Sequence, residues 1–217
     1  MRARKIAAVA SPEPLLKLDL GCGQHPKEGF LGVDIYHDAK IVSDLSVAPW
    51  TFWVDDTTEV PGDRPAIASR KYDQDIRGRH PVKPADASVG EVFSSHFIEH
   101  LSGPQRIIFF NELYRVMAPG AQATFIFPYY SSVRAIQDPT HAWPPIADAS
   151  FLYWNKGWRK ANGLDHYPIQ ADFDFVPSYS VAQPWASKHE EVRAMAMNSY
   201  LNAIPDGQVV MTRRPSD

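Results

Sequence analysis

The sequence predicts an α/β protein, a mainly parallel sheet covered by helices and closed by an antiparallel edge. Three observations predict it. Residues 15–20 form a short apolar run that ends in Gly21-Cys22-Gly23, which reads as a buried strand feeding a tight turn. Ile107, Ile108, Phe110, Leu113, Tyr114 and Met117 fall at helical spacing between two strand-like runs, 89–94 and 123–127. Two further strand-like runs, 173–179 and 208–213, make a closing hairpin, the second of them following an Asp206-Gly207 turn. Strands interleaved with helices cover both faces of a sheet, and the hairpin supplies an antiparallel edge.

The remaining elements follow in order. Residues 30–35 read as a second strand that carries Asp34, and 39–42 as a third, followed by Ser43-Asp44. From 46 to 84 the chain is punctuated by Pro49, Pro61, Pro65, Pro81 and Pro84 around a Trp50/Phe52/Trp53 cluster, and it reads as an elaborated loop. Pro104 opens the long helix and Pro119-Gly120 stops it. Residues 128–172 are aromatic and bear histidines; they read as a substrate-side lid with one helix near 147–154, and a last helix is expected over 188–200. Repeats and low-complexity tracts are absent, and 1–217 is expected to be one domain.

Composition excludes several classes. Lys plus Arg is 22 against 25 Asp plus Glu, a net charge of −3, so the basic excess of a nucleic-acid coating protein is missing. One cysteine, Cys22, excludes an intramolecular disulfide. No apolar run approaches the ~18 residues of a membrane span, and the apolar stretch 6–10 is too short for a signal-peptide core. A cytoplasmic setting is expected. With 19 prolines and 12% aromatics, the loops should be pinned, as functional loops often are.

A Gly-x-Gly turn after a strand lets a ligand approach the backbone closely. A dinucleotide fingerprint needs a third glycine where this chain has Pro26, and its ribose acid lies about 20 residues further on. Here Asp34 follows Gly23 by only 11 residues (34 − 23). The pattern suits a ligand with a ribose and no pyrophosphate, and S-adenosylmethionine is such a ligand.

Four segments then carry a resemblance. Leu18-Asp19-Leu20-Gly21-Cys22-Gly23 resembles the first motif of class I S-adenosylmethionine-dependent methyltransferases, and Gly32-Val33-Asp34 the end of their second strand. The stretch from Val92 to Leu101 is similar to the fourth-strand segment of their small "type 11" branch, and that from Glu112 to Gly120 to the helix and turn after it. The resemblance implies a Rossmann-like fold of seven strands. It places Asp19, Gly21, Cys22 and Gly23 against the methionine end of the cofactor and Asp34 on the ribose hydroxyls. Asp75 is preferred over Asp44 for the adenine amino group, and Ser95 and His96 would face the reactive methyl. The sequence departs from the family in lacking room for the usual helix between the first two strands, in Gly90 where an acid is common, and in the 46–84 elaboration.

Other candidates have ordinary alternatives. Cys22 in a glycine turn reads as a packing residue. His96 and His100, four apart, could share a metal, but no third ligand with tight spacing supports it, so no metal site is expected. His141, beside Asp138, and His166, beside Asp165, could serve as general bases or could satisfy loop backbone. Tyr129, with Tyr130 and Arg134, has the same ambiguity. The implied activity is methyl transfer to an unidentified acceptor, a small molecule, sugar or nucleobase, with His96, His141 and Tyr129 on the acceptor side. The alternative is a methyltransferase fold kept for binding or assembly without catalysis.

Overall fold

A computed structural model describes residues 15–35, 39–63 and 78–216. Five strands form its parallel centre: β1 (Leu16–Leu20), β2 (Leu31–Asp34), β3 (Ile41–Val42), β7 (Val89–Ser95) and β8 (Met117–Pro128). Between β3 and β7 the chain adds β4 (Phe52–Val54), β5 (Gly62–Asp63) and β6 (His80–Pro84), which extend one side antiparallel. On the other side stand β9 (Phe173–Tyr179) and β10 (Asp206–Arg213). The order across the sheet is β5-β6-β4-β3-β2-β1-β7-β8-β10-β9.

This is the expected α/β architecture with one difference. The sheet has ten strands among the described residues rather than seven, because part of the 46–84 segment pairs into the sheet. Its apolar cluster explains why. Trp50, Phe52 and Val54 are fully buried, and side chains of that kind contribute roughly 1.5–3 kcal/mol each on leaving water. Of six tryptophans, Trp50 and Trp154 are buried, Trp53, Trp158 and Trp185 are half-buried, and Trp143 is exposed.

The long helix, α1 (Gly103–Val116), begins where Ser102 caps it. Gln105 Oε1 accepts from the Ser102 backbone N–H at 2.9 Å and from its hydroxyl at 2.7 Å, and Pro104 occupies the first turn. Its buried face, Phe109, Phe110, Leu113 and Val116, packs into the core with Phe97, Trp50 and Phe125. The helix ends at Val116, before Pro119-Gly120, and Met117, expected in the helix, begins β8, where the β7–β8 register jumps across Pro119-Gly120 from Val89↔Met117 to Glu91↔Gln122. The segment 147–154 is a 3-10 turn, Asp148–Trp154, and the last helix, here called α4, is Glu190–Ser199. The short helices α2 (Arg134–Gln137) and α3 (Lys156–Ala161) lie between β8 and β9.

From β1 the chain moves to β2 and β3 on one side and later to β7 and β8 on the other. The carboxyl end of β1 is therefore a switch point, where a crevice opens between diverging connections. Register fixes its walls: Asp19 lies opposite Gly32 of β2 and Phe93 of β7.

Candidate functional site

The glycine turn sits at that switch point. Gly21 and Gly23 adopt left-handed backbone, φ 71° and 56°, and the Gly21 N–H donates to the Val33 carbonyl at 2.8 Å, which folds the turn back over β2. A Cβ on Gly21 would lie 2.2 Å from the Phe97 ring, whereas one on Gly23 would meet open space. The backbone after the turn forms no helix before β2, so the expected departure from the family is real.

Asp34, buried at the end of β2, accepts the Gly23 N–H at 2.8 Å. Asp19, also buried, accepts the Lys27 N–H at 2.7 Å. Burial raises the Asp19 carboxyl above its ordinary value, partly opposed by the Lys27 contacts. Cys22 lies half-buried behind the turn, its sulfur 2.8 Å from where a Cβ on Gly32 would sit. Burial, with the charges of Asp19 and Asp34, pushes its thiol up to about 11, so it stays protonated and packs.

A cleft of about 500 Å³ opens beside the turn. Gly21, Gly23 and Asp34 line one side, Ser43 and Asp44 the next, and His96, His100 and Thr140 the far rim. Asp44 is held by Ser46, whose N–H and hydroxyl donate to Oδ1 at 2.9 and 2.6 Å. The Ser43 hydroxyl is buried in the wall without a hydrogen-bond partner among the described residues. Asp75 lies outside the described residues; the acid seen in the cleft after β3 is Asp44.

Beyond β7 the chain turns sharply. His96 has φ 54°, a left-handed conformation uncommon for a side-chain-bearing residue, and its N–H donates to Ile126 O at 2.9 Å. Its Nδ1 lies 3.3 Å from Oε1 of the buried Glu99, and that contact raises its ring pKa above the ordinary value against the effect of burial. Ser95 does not line the cleft; its neighbour Ser94 ties β7 to β1 through a 2.8 Å bond to Leu20 O.

The lid residues divide. His141 does not line the cleft but lies behind its rim, its ring edge-on to the lining His100 at 4.9 Å. Tyr129 does not: it is buried, and its hydroxyl donates to Asp148 Oδ1 at 3.0 Å beside Tyr179, which donates to the other oxygen at 2.8 Å. Burial and that carboxylate hold both phenols well above their ordinary value. Asp165 lines a separate hollow with Arg159 and Lys156. Two buried arginines pin the region: Arg106 donates to the carbonyls of Ile98, Ala142 and Pro144, and Arg159 to those of Tyr153, Ile169 and Ala171. Sequence reasoning missed Glu99 as a site residue, since its proximity to His141 arises only when the lid folds back.

No protein-family model and no curated protein sequence matches this chain. Among solved structures it is similar to a SAM dependent methyltransferase from Archaeoglobus fulgidus, with a TM-score of 0.50 and 16% identity over 92% of this chain and 86% of that one. An S-adenosylmethionine dependent methyltransferase from Mesorhizobium loti gives a TM-score of 0.42 and 15% identity, covering 92% and 91% of the two chains. The likeness to the Archaeoglobus protein is one of fold.

Proposed function

We propose that this chain, whose fold is that of the class I S-adenosylmethionine-dependent methyltransferases, binds S-adenosylmethionine in the cleft at the end of β1 and transfers its methyl group to an acceptor. The observation that carries the reading is convergence: a left-handed Gly21/Gly23 turn, Asp34 and Asp44 meet in one cleft. The lining fits the cofactor. Asp34 stands in the cleft wall as a carboxylate, the group that accepts hydrogen bonds from the vicinal hydroxyls of a ribose. The unpartnered Ser43 hydroxyl is a polar group awaiting a ligand atom. Carboxylates around the turn favour a cationic ligand over a pyrophosphate, and no helix N-terminus follows to hold phosphate.

When bound, S-adenosylmethionine supplies an electrophilic methyl on a sulfonium. The chain's part is to bind, orient and exclude water. Gly21 and Gly23 allow the methionine end to lie against the backbone, with Asp19 buried behind them. Asp44, the alternative to Asp75, lines the cleft and takes the adenine amino group in this reading. His96 stands at the end of β7 on the acceptor side. Tyr129 is left out of this role, its hydroxyl committed to Asp148. Calorimetric titration tests the reading: the wild type binds S-adenosylmethionine, and Asp34→Ala weakens binding at least about tenfold, a loss of about 1.4 kcal/mol. Failure of the folded wild type to bind would sink it.

A further inference from the structure

His96 and His100 alone are too few for a metal site, and no other histidine stands near them in the sequence. The fold brings one. One ligand atom each from Glu99, His100 and His141 lies within 4.8 Å of the others. We propose that Glu99, His100 and His141 form a binding site for a divalent first-row transition cation at the rim of the cleft. This goes beyond the methyl-transfer reading and does not depend on it.

Glu99 is the independent observation. It is 5% exposed, and neither carboxylate oxygen has a hydrogen-bond partner among the described residues. His96 Nδ1 forms an ion-pair contact with Oε1 at 3.3 Å, which leaves Oε2 without a partner among the described residues. Arg106 feels the Glu99 charge, yet its guanidinium is spent on three carbonyls. A buried carboxylate oxygen without a donor is costly, and cation ligation is one of the few arrangements that offsets it.

The two imidazoles are set up as ligands. Thr140 Oγ1 donates to Asp138 Oδ1 at 2.7 Å, so its 3.0 Å contact with His100 Nδ1 requires that nitrogen to donate. His141 Nδ1 faces the Ala135 carbonyl at 3.2 Å, an acceptor only, and must donate as well. Each ring therefore keeps its lone pair on Nε2, the usual pattern in which an outer partner fixes the tautomer of a metal-binding histidine. Asp138 Oδ2 lies 3.8 Å from His141 Nε2 and puts a further negative charge beside that ring. The loop is held in place by the Ala142 N–H, which donates to Glu99 O at 2.8 Å.

Two nitrogens and one carboxylate suit zinc, cobalt or manganese rather than calcium or magnesium, and three protein ligands leave a position open. Donors about 2.0–2.2 Å from one ion stand roughly 3–3.5 Å apart, so the cluster must contract slightly, which the exposed His100 can do by rotation.

The test is a titration of chelator-treated protein with Co²⁺ in the absence of S-adenosylmethionine, read by visible d–d absorption and by calorimetry. One equivalent should bind, displaceable by Zn²⁺. His100→Ala and His141→Ala should each weaken it at least about tenfold, and Glu99→Gln likewise. Asp165→Asn, remote from the cluster, should leave it unchanged. Circular dichroism checks folding, and if Glu99→Gln fails to fold the two histidine variants decide. Absence of Co²⁺ binding by the wild type, or unchanged affinity in both histidine variants, overturns the site. A loss in His96→Ala equal to that in His141→Ala overturns this ligand set. Because metal and cofactor are titrated separately, either reading can fail alone.

Discussion

Gly21 and Gly23 share left-handed backbone but not surroundings, and the difference can be measured. Alanine at either position costs about 1–2 kcal/mol for the backbone alone. At position 21 the new methyl would also strike the Phe97 ring, and forcing a packed neighbour aside adds about 1–3 kcal/mol. Denaturant unfolding should therefore show Gly21→Ala clearly less stable than Gly23→Ala; equal losses would mean that Phe97 yields freely. Single residues were legible where local chemistry is self-contained. The turn, Asp34 and the packing character of Cys22 could be read from neighbours in the chain. Tyr129 could not, because the partner that occupies its hydroxyl, Asp148, comes from another turn of the lid. Glu99 was hidden for the same reason: its burial and its nearness to His141 are products of tertiary folding.

At the scale of elements, the proline-rich stretch from 46 to 84 concealed short strands. Prolines and polar residues spell loop, but β4 needs only three residues to pair. What attaches it is Trp50. Its backbone N–H donates to Glu112 Oε2 of α1 at 2.9 Å, its indole N–H donates to Leu45 O at 3.1 Å, and Arg115 pairs with the same Glu112 at 2.8 Å. Burial raises the Glu112 carboxyl, but Arg115 and the Trp50 N–H outweigh it and hold the group below its ordinary 4.5. A depressed carboxyl stabilises the fold above the unfolded value and loses that contribution as pH falls through the folded value. Glu112→Gln should thus cost about 1–3 kcal/mol at neutral pH. The gap between variant and wild type, followed by thermal melts on acidification, should narrow below pH 4.5. A gap that stays constant across that range would show the charge to be irrelevant. The body and start of the helix were legible from Pro104 and the apolar periodicity, but its end was not: it stops at Val116, and Met117 to Gly120 join β8.

For the whole molecule, the parallel centre and the closing hairpin follow from alternating strand and helix signals, and the crevice at β1 follows from the order of strands. Strand number did not follow, because pairing at the edges depends on partners far apart in the chain. The hairpin has one further consequence. β10 lies between β8 and β9 in the sheet but after both in sequence, and Val209 and Met211 are fully buried there. Until residues 206–213 have left the ribosome, the twelve-residue β8 keeps an open edge and β9 has no neighbour to pair with. Such an edge invites pairing with other chains. Nascent chains stalled just after residue 205 are linked outside the exit tunnel and treated with protease; they should be cut within β9 far faster than chains extended past 213. Equal resistance would mean that β9 docks without β10. The sheet is thus closed by an insertion, with β10 the wedge that joins β9 to the strands made before it.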